Sequence, residues 1–336
     1  MIVAALTGGK NIPSARFRIK QLIAPLAERS IDLTEFPALF GSFPPASKFS
    51  RPLWFSATLL ERISAILRAN CFDRIIFQRE VISTLPTVER MASKSTILDI
   101  DDAIWLYRNG IAAANVSAAS DLIVCGNNFL AEHFSRYGKP IAIIPTGVDT
   151  HRFRPLDSVK KSRKVIGWSG TSGGFRFIVE NIESGIAKLL NRYSDWVFRV
   201  VSDKPPSFKL INPKQFEYVQ WSENNEVESI ATMDIGIMPL ENSEWCRGKC
   251  SYKMLLYMSC GVPVVVSDFG MNRDILNILP SGIGVAENGD WYEALEAIMT
   301  DEKLGFVFGN NGRKVVEKNF STAVVSDQWV TALHTM

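Results

Sequence analysis

The chain has 336 residues, of which 46% are hydrophobic and 21% are charged, as in ordinary globular proteins. Single cores stop growing near about 250–300 residues, so this length predicts two domains. A net charge of +2 argues against a nucleic-acid partner, and no run reaches the roughly 18 apolar residues of a membrane-spanning helix. Five cysteines, an odd number, indicate a reducing compartment, so we expect a cytoplasmic protein.

Short runs rich in Val and Ile recur in chain order and are separated by helical patterns. In the first half they are IVAAL (2–6), DRIIFQ (73–78), STILDI (95–100), DLIVCG (121–126) and IAIIP (141–145). In the second half they are KVIGWSG (164–170), WVFRVVS (196–202), DIGIMPL (234–240), VPVVVSD (262–268) and SGIGVAE (281–287). Such runs are typical of strands buried on both faces. Their alternation with helices, for example 14–28 and 174–192, predicts parallel sheets.

The pattern pauses at PTGVDTHRFRPLDSVKKSRK (145–164), where Pro, Gly, Asp and several cations predict a linker. We therefore expect an α/β fold of two doubly wound, Rossmann-like domains that face each other across a cleft. The predicted domains are 1–150 and 151–320, with a terminal helix at 321–336 that crosses back to the first domain. Ligands of such sheets bind outside the carboxyl ends of the strands, which places the chemistry in that cleft.

The N-terminal region is basic, because residues 1–79 carry eleven Lys and Arg against five Asp and Glu. Within it, residues 38–70 combine a Pro- and Phe-rich loop with an amphipathic helix that includes Arg62 and Arg68. One interpretation is a helix packed on the first sheet. The other is an interfacial element that meets an anionic membrane or a lipid-linked substrate, which would bring the protein to the inner face of the membrane.

The segment EWCRGKCSYKMLLYMSCGVPVVVSD (244–268) places Arg247, Lys249 and Lys253 at the start of a fully apolar helix. We expect Ser251 to cap this helix and Gly261 to end it. The N-terminus of a helix attracts anions, and three crowded cations repel one another unless an anion neutralises them. The pattern predicts a phosphate or diphosphate site. A solvated loop balanced by an acidic neighbour is the alternative.

Three carboxylates follow a buried strand in DIDDAIWL (99–106), namely Asp99, Asp101 and Asp102. Crowded carboxylates raise one another's pKa, which would suit a general base for an acceptor hydroxyl. They would equally serve as a helix cap or as partners of Arg108. None of the histidines 133, 151 and 334 is placed in the predicted cleft by its sequence position.

A glycine pair, Gly8 and Gly9, follows the first predicted strand, and Arg16 and Arg18 open the next helix. The pair does not match G-x-G-x-x-G, so we expect no dinucleotide cofactor. The glycines would let an acceptor or a diphosphate approach the backbone, and the arginines would attract an anionic acceptor. A surface role for the arginines is the alternative.

Two stretches resemble a known family. IPTGVDTHRFRP (144–155) is similar to the interdomain signature of family-4-like glycosyltransferases of the GT-B fold. GKCSYKMLLYMSCGVPVVVSDFGMN (248–272) resembles the donor-binding helix and strand of that family. Looser similarity lies in 14–26, 99–106 and 119–134. The resemblance implies a nucleotide-sugar donor (UDP-, GDP- or similar) on the second domain and a glycan or lipid-linked acceptor on the first. It implies neither a cofactor nor a metal, and it suggests a role in cell-surface polysaccharide or glycoconjugate synthesis.

The same resemblance assigns residues to the donor. It places Lys249 and Lys253 beside the diphosphate and lets the backbone at 270–272 contact the phosphates or the sugar. The loop GWSGTSGG (167–174) follows a strand and would approach the ligand, although a tight turn is its simplest interpretation. The predicted donor-binding residues are Trp168, Ser169, Gly170, Thr171, Arg247, Lys249, Lys253, Gly270, Met271 and Asn272.

The chain also departs from that family. Many retaining members carry two glutamates eight residues apart, and the corresponding positions here read Gly248 and Leu256. Glu244 lies four residues before the first position and is the available substitute. We therefore predict Asp101, Asp102 and Glu244 as catalytic residues and leave the nucleotide, sugar and anomer open. Alternatives are a nucleotide-sugar epimerase or phosphorolytic enzyme on the same fold, and a non-catalytic nucleotide- or sugar-binding protein.

Overall fold

The computed structural model describes residues 1–10, 12–156 and 163–335. The chain folds into two compact units. The first comprises Met1–Gly147, Gly248–Cys250 and Thr322–Met336, and the second comprises Val148–Arg247 and Ser251–Ser321. Of the predicted linker, residues 157–162 lie outside the described part of the chain.

The first unit contains a six-stranded sheet in which every strand pairs in parallel, in the order β2-β1-β3-β4-β5-β6. The strands are β1 (Ile2–Thr7), β2 (Asp32–Pro37), β3 (Arg74–Gln78), β4 (Ser95–Ile100), β5 (Leu122–Cys125) and β6 (Ile141–Ile143). The central strands are buried on both faces, since Ile75, Ile76 and Phe77 are at most 1% exposed. This burial explains their continuous apolar sequences.

The helices that cover this sheet are α1 (Pro13–Arg18), α2 (Ile23–Ala27), α3 (Arg51–Ala69), α4 (Ile111–Ala118) and α5 (Asn128–Phe134). The single helix expected at 14–28 is divided, because Ile19 leaves the helical region at φ −122° and a 3₁₀ turn follows. Helix α3 confirms the amphipathic helix expected within 38–70. Arg62 on its inner face is 1% exposed and donates to the carbonyls of Phe36 and Pro37.

The second unit repeats the architecture with strand order β12-β11-β10-β7-β8-β9, again wholly parallel. The strands are β7 (Lys164–Ser169), β8 (Trp196–Ser202), β9 (Phe216–Gln220), β10 (Ile235–Met238), β11 (Val264–Ser267) and β12 (Gly282–Val285). The two units therefore confirm the predicted pair of Rossmann-like domains. The strands absent from the prediction, β2 and β9, both lie at sheet edges.

The helices of the second unit are α6 (Phe175–Asn181), α7 (Glu183–Arg192), α8 (Glu226–Ala231), α9 (Glu244–Arg247), α10 (Tyr252–Ser259), α11 (Gly270–Leu276), α12 (Trp291–Thr300) and α13 (Glu302–Asn319). The expected helix 174–192 divides at Ile182, whose φ is −124°. The last helix, α14 (Thr322–His334), belongs to the first unit, where Val325, Trp329 and Leu333 join the core. No helix among the described residues has the length and apolar character needed to cross a bilayer.

Candidate active site

Helix α10 is buried on every side, because its residues 254–258 are at most 4% exposed. Gly261 ends it in the left-handed conformation with φ 72°, as expected. The expected cap is wrong. Ser251 precedes the helix with φ 50°, and its hydroxyl bonds the Asn272 side-chain oxygen at 2.7 Å. The Ser251 side chain makes no capping hydrogen bond to α10. The N-terminus of a helix carries a partial positive charge, which favours an anion there.

Lys253, in the first turn of α10, is held at the carboxyl end of β7. Its Nζ lies 4.7 Å from the centroid of the Trp168 ring, a cation–π geometry. A Cβ placed on Gly170 would come within 2.4 Å of that Nζ and 2.7 Å of the ring. Glycine at position 170 therefore leaves the space that the Lys253 side chain occupies. Trp168 is 2% exposed, so the ring that contacts the lysine is fixed by the surrounding core.

The turn after β7 is itself firmly bonded. The Ser169 amide donates to the Tyr257 hydroxyl at 2.8 Å, and the Gly170 amide donates to the Val201 carbonyl at 3.0 Å. These two amides are therefore engaged within the protein. Thr171, one residue later, is exposed and is the better placed of the predicted hydroxyl donors, since Ser169 is 7% exposed.

The predicted loop at Gly270 is the start of helix α11. Gly270 has φ 53°, and a Cβ there would lie 3.6 Å from the Arg247 backbone, so the two segments are close neighbours. Asn272 is 1% exposed, and its amide nitrogen donates to the Ser267 carbonyl at 3.1 Å. The Asn272 side chain thus holds α10, β11 and α11 together. The available phosphate donors here are backbone amides of the first turn.

We call Trp168–Thr171, Arg247, Lys253 and Gly270–Asn272 the diphosphate socket. Arg247 is exposed, and its Nε donates to the Asn242 oxygen at 2.9 Å. Glu244 is exposed in the first turn of the same short helix, α9. The socket thus combines two cations, the N-termini of α10 and α11 and an exposed hydroxyl, which is the set of groups that binds phosphate.

Lys249 belongs instead to the first unit, with Gly248 and Cys250. Its Nζ lies 3.3 Å from an Asp102 carboxylate oxygen. Asn127 fixes the tripeptide by donating to the carbonyls of Gly248 and Lys249 at 3.1 and 3.0 Å. A Cβ on Gly248 would meet the Ala103 backbone nitrogen at 2.9 Å, so a glycine is required for this fit.

Arg79 is the partner of both predicted catalytic aspartates. Its Nε lies 2.6 Å from Asp101, and its terminal nitrogen pairs with Asp102. Burial alone would raise the pKa of Asp101. The charge and hydrogen bond of Arg79, with Arg18 and Lys249 nearby, outweigh burial and lower this pKa. The expectation that neighbouring carboxylates raise the pKa of Asp101 is therefore wrong. The arginine that pairs with Asp101 and Asp102 is Arg79, whereas the sequence suggested Arg108.

Glu80 follows Arg79 in the chain, and its pKa is raised, as is that of the buried Asp99. Glu80 is 7% exposed, and burial raises its pKa despite a hydrogen bond from the Thr84 amide at 2.9 Å. Its second carboxylate oxygen has no hydrogen-bond partner among the described residues. Arg79 and Thr84 both have φ 64°, so this short loop is strained. Sequence reasoning missed the loop because nothing in its residue pattern marks it.

The acceptor-binding prediction is wrong for Arg18. This side chain is 1% exposed and forms a bidentate pair with the fully buried Asp99, with 3.1 Å from Nε to the carboxylate. It also donates to the Ile144 carbonyl at 2.8 Å. Arg18 thus ties α1 to β4 and to the residue that follows β6, and its burial keeps it from meeting a ligand. Arg16 is half-buried, with its guanidinium 4.9 Å from the Phe17 ring centroid.

Gly8 and Gly9 line a pocket of about 410 Å³, together with Lys10, Ile12, Ala38, Leu39 and Gly41. A Cβ on Gly8 would come within 2.7 Å of the Ser42 hydroxyl, and Gly9 has φ 139°, so both positions favour glycine. The pocket lies beyond the carboxyl ends of β1 and β2. Among the described residues, no group of three or more His, Cys, Asp and Glu is arranged to hold a metal ion.

Several solved structures share this fold across the whole chain. Sucrose-phosphate synthase from Thermosynechococcus elongatus has a TM-score of 0.77 at 12% identity, covering 100% of this chain and 98% of that one. Anabaena HepE, solved with UDP and glucose, has a TM-score of 0.71 at 11% identity over 100% of both chains. WaaG, a glycosyltransferase involved in lipopolysaccharide biosynthesis, has a TM-score of 0.69 at 13% identity over 99% of both. No curated protein matches the chain in sequence.

The family of glycosyl transferases group 1 matches residues 163–301, which include the diphosphate socket. Residues 163–301 are thus similar to group 1 glycosyltransferases. The fold of the chain is that of the GT-B glycosyltransferases, as the resemblance of 144–155 and 248–272 implied. In this chain the two positions at which the resemblance leads one to expect glutamates are Gly248, which has no space for a side chain, and Leu256, which is 4% exposed.

Proposed function

We propose that this protein is a glycosyltransferase that takes its sugar from a nucleotide-diphosphate-sugar bound at the diphosphate socket. The observation that carries the proposal is the position of Lys253, held by Trp168 and Gly170 at the N-terminus of α10. The diphosphate gains negative charge as it leaves the sugar, so cations and helix amides stabilise the transition state more than the ground state. HepE shares the fold and was solved with UDP, so UDP is the first nucleotide to test.

The acceptor is proposed to bind the first unit at the pocket formed by Gly8, Gly9 and Lys10. The role of Arg16 beside this acceptor stays a prediction. Asp101 and Asp102 are proposed to act near the acceptor as charged partners of Arg79, whose charge and hydrogen bond lower the pKa of Asp101.

Glu244 is proposed to assist at the donor sugar in place of the absent glutamates. Lys249 pairs with Asp102 within the first unit, and its contact with the donor stays a prediction. The acceptor class is a glycan or a lipid-linked molecule, in cell-surface polysaccharide or glycoconjugate synthesis. We further propose a peripheral contact with an anionic membrane, which the excess of Lys and Arg in residues 1–79 supports.

A non-catalytic nucleotide-binding protein is the second candidate. It is favoured by the absence of a carboxylate at positions 248 and 256, where Gly248 and Leu256 leave none to contact the ribose or sugar. Such a protein would bind the nucleotide diphosphate without releasing it from its sugar. Turnover separates this candidate from the first.

The test is a calorimetric and thermal-shift screen with UDP, GDP and CDP on wild type, on Lys253→Ala and on a control, Lys303→Ala. Lys303 is an exposed lysine on α13 of the same unit. We expect one nucleotide to bind wild type and the control, with Lys253→Ala at least ~10-fold weaker because a charge-assisted contact is lost. Equal binding by Lys253→Ala, or no binding of any diphosphate to wild type, would reject the socket.

A further inference from the structure

Helix α3 exposes apolar side chains where a solvated helix would be polar. Leu53, Leu60 and Leu67 are 77%, 68% and 55% exposed. They recur every seven residues, so they share one face along about 20 Å of helix. The opposite face supplies the buried residues Thr58, Arg62, Ala65, Ile66 and Ala69. The helix is therefore apolar on the face that packs on the sheet and on the face that meets solvent.

The loop before α3 extends this apolar face. Its exposed side chains are Leu39 at 70%, Phe40 at 56%, Phe43 at 52% and Phe49 at 99%. Of the nineteen exposed large hydrophobics in the described residues, seven lie between 39 and 67, where an even distribution would place about two. The apolar-basic face is the name we give to these seven residues and to the three exposed cations beside them. The seven are Leu39, Phe40, Phe43, Phe49, Leu53, Leu60 and Leu67, and the cations are Lys48, Arg51 and Arg68.

The loop is held in place rather than collapsed on itself. The Trp54 indole nitrogen donates to the Phe40 carbonyl at 3.0 Å, and the Arg51 Nε donates to the Pro45 carbonyl at 3.0 Å. The Ser42 amide donates to the Gly8 carbonyl at 3.0 Å. The phenylalanines are thus presented outward by a loop anchored to α3 and to the turn after β1.

The charge around this face has one sign. Lys48 and Arg51 are exposed at the N-terminal end of α3, and Arg68 is exposed at its other end. The one acidic residue between 38 and 70, Glu61, is already paired with the buried Arg62. Apolar side chains flanked by cations match the chemistry of an anionic bilayer, where the apolar groups enter the acyl boundary and the cations meet phosphates.

The apolar-basic face is continuous with the proposed acceptor pocket, because Leu39 belongs to both. We propose that this face binds the surface of an anionic lipid bilayer, and that an amphiphilic, lipid-linked acceptor reaches the pocket at Gly8 and Gly9 from that bilayer. The second part rests on the function proposed above. Docking leaves the acceptor's lipid in the membrane and brings only its polar head to the pocket.

The experiment is sedimentation of the full chain with vesicles of phosphatidylcholine alone or with about a third phosphatidylglycerol, without nucleotide. Wild type should bind the anionic vesicles at least ~10-fold more tightly than the neutral ones. The variant Leu53→Gln/Leu60→Gln/Leu67→Gln should bind the anionic vesicles at least ~10-fold more weakly than wild type, because three apolar groups no longer enter the acyl boundary. The matched control is Phe306→Gln, which changes a 72% exposed aromatic in the second unit and should bind like wild type.

A second variant, Lys48→Glu/Arg68→Glu, reverses two exposed charges and leaves the leucines and the Arg51 anchor of the loop in place. It should bind anionic vesicles less tightly and should lose the preference for phosphatidylglycerol over phosphatidylcholine. Failure of wild type to bind anionic vesicles, or unchanged binding by the triple leucine variant, would overturn the proposal. A wild-type dimer that the triple variant dissociates would overturn it too, since a second copy would then cover the face.

Nucleotide binding, measured on the same preparations, separates this proposal from the proposed function. The leucines lie far in sequence from the socket and are exposed, so the triple variant should keep the wild-type unfolding midpoint and nucleotide affinity. Vesicle binding without any nucleotide binding would reject the donor proposal and keep the bilayer contact. Nucleotide binding without vesicle binding would reject the bilayer contact alone.

Discussion

Gly170→Ala should weaken nucleotide-diphosphate binding through Lys253. The added Cβ would come within 2.4 Å of the Lys253 Nζ and 2.7 Å of the Trp168 ring, closer than such atoms approach. Trp168 is 2% exposed and cannot move aside, whereas the lysine is the far end of a flexible chain. The lysine should therefore leave the turn. A charge-assisted hydrogen bond contributes about 1.5–3 kcal/mol, so the Kd should rise about 10- to 150-fold.

Gly173→Ala is the matched control, since a Cβ at Gly173 meets nothing within 4 Å. Both variants should be titrated calorimetrically with the nucleotide that binds wild type, and their thermal unfolding should be recorded. Gly170→Ala should also lose some stability, because crowding a packed ring costs about 1–3 kcal/mol. An unchanged Kd for Gly170→Ala, or an equal loss for Gly173→Ala, would refute the role given to Lys253.

Three further predictions concern the first unit. Asp101→Asn should destabilise the fold by about 1–3 kcal/mol at pH 7 by weakening its pair with Arg79. Because the folded pKa of Asp101 is lowered, this loss should shrink as pH falls below about 3.9, which denaturant unfolding at pH 7 and pH 3 checks. Burial raises the pKa of Glu80, so the stability of Glu80→Gln relative to wild type should increase as pH rises from about 4.3, in the same assay. Gly248→Ala should cost about 1–3 kcal/mol, because its Cβ meets the Ala103 backbone at 2.9 Å, and a midpoint equal to wild type would contradict that fit.

The strands were predictable wherever they are buried on both faces. A run such as RIIFQ predicts a strand, because a strand that is buried on both faces of its sheet carries apolar residues on both. The edge strands DLTEFP and FEYVQ were not recognised, since one face of each meets solvent and polar residues interrupt the run. Helix divisions at Ile19 and Ile182 also escaped prediction, because no Gly or Pro marks either position.

The cations at the start of α10 could be predicted from the residue pattern of a single segment. Lys253 and the start of α10 are close in sequence, so a local pattern suffices to place them together. Partners distant in sequence were not predictable. Nothing near Asp101 indicates that Arg79 neutralises it, and Arg18 reads as a surface cation until its pair with Asp99 is seen. Long-range ion pairs of this kind leave no periodic signal in the chain.

The most direct measurement is release of nucleoside diphosphate from a panel of UDP-, GDP- and CDP-sugars by wild type, Lys253→Ala and Lys303→Ala, with vesicle-borne and soluble glycan acceptors. We predict that one donor is consumed by wild type and Lys303→Ala, and that Lys253→Ala is slower at least ~10-fold because the leaving diphosphate loses a cation. Release that is equal in all three proteins would contradict the socket. Tight nucleotide binding with no release from any donor would identify a binding protein instead of a glycosyltransferase.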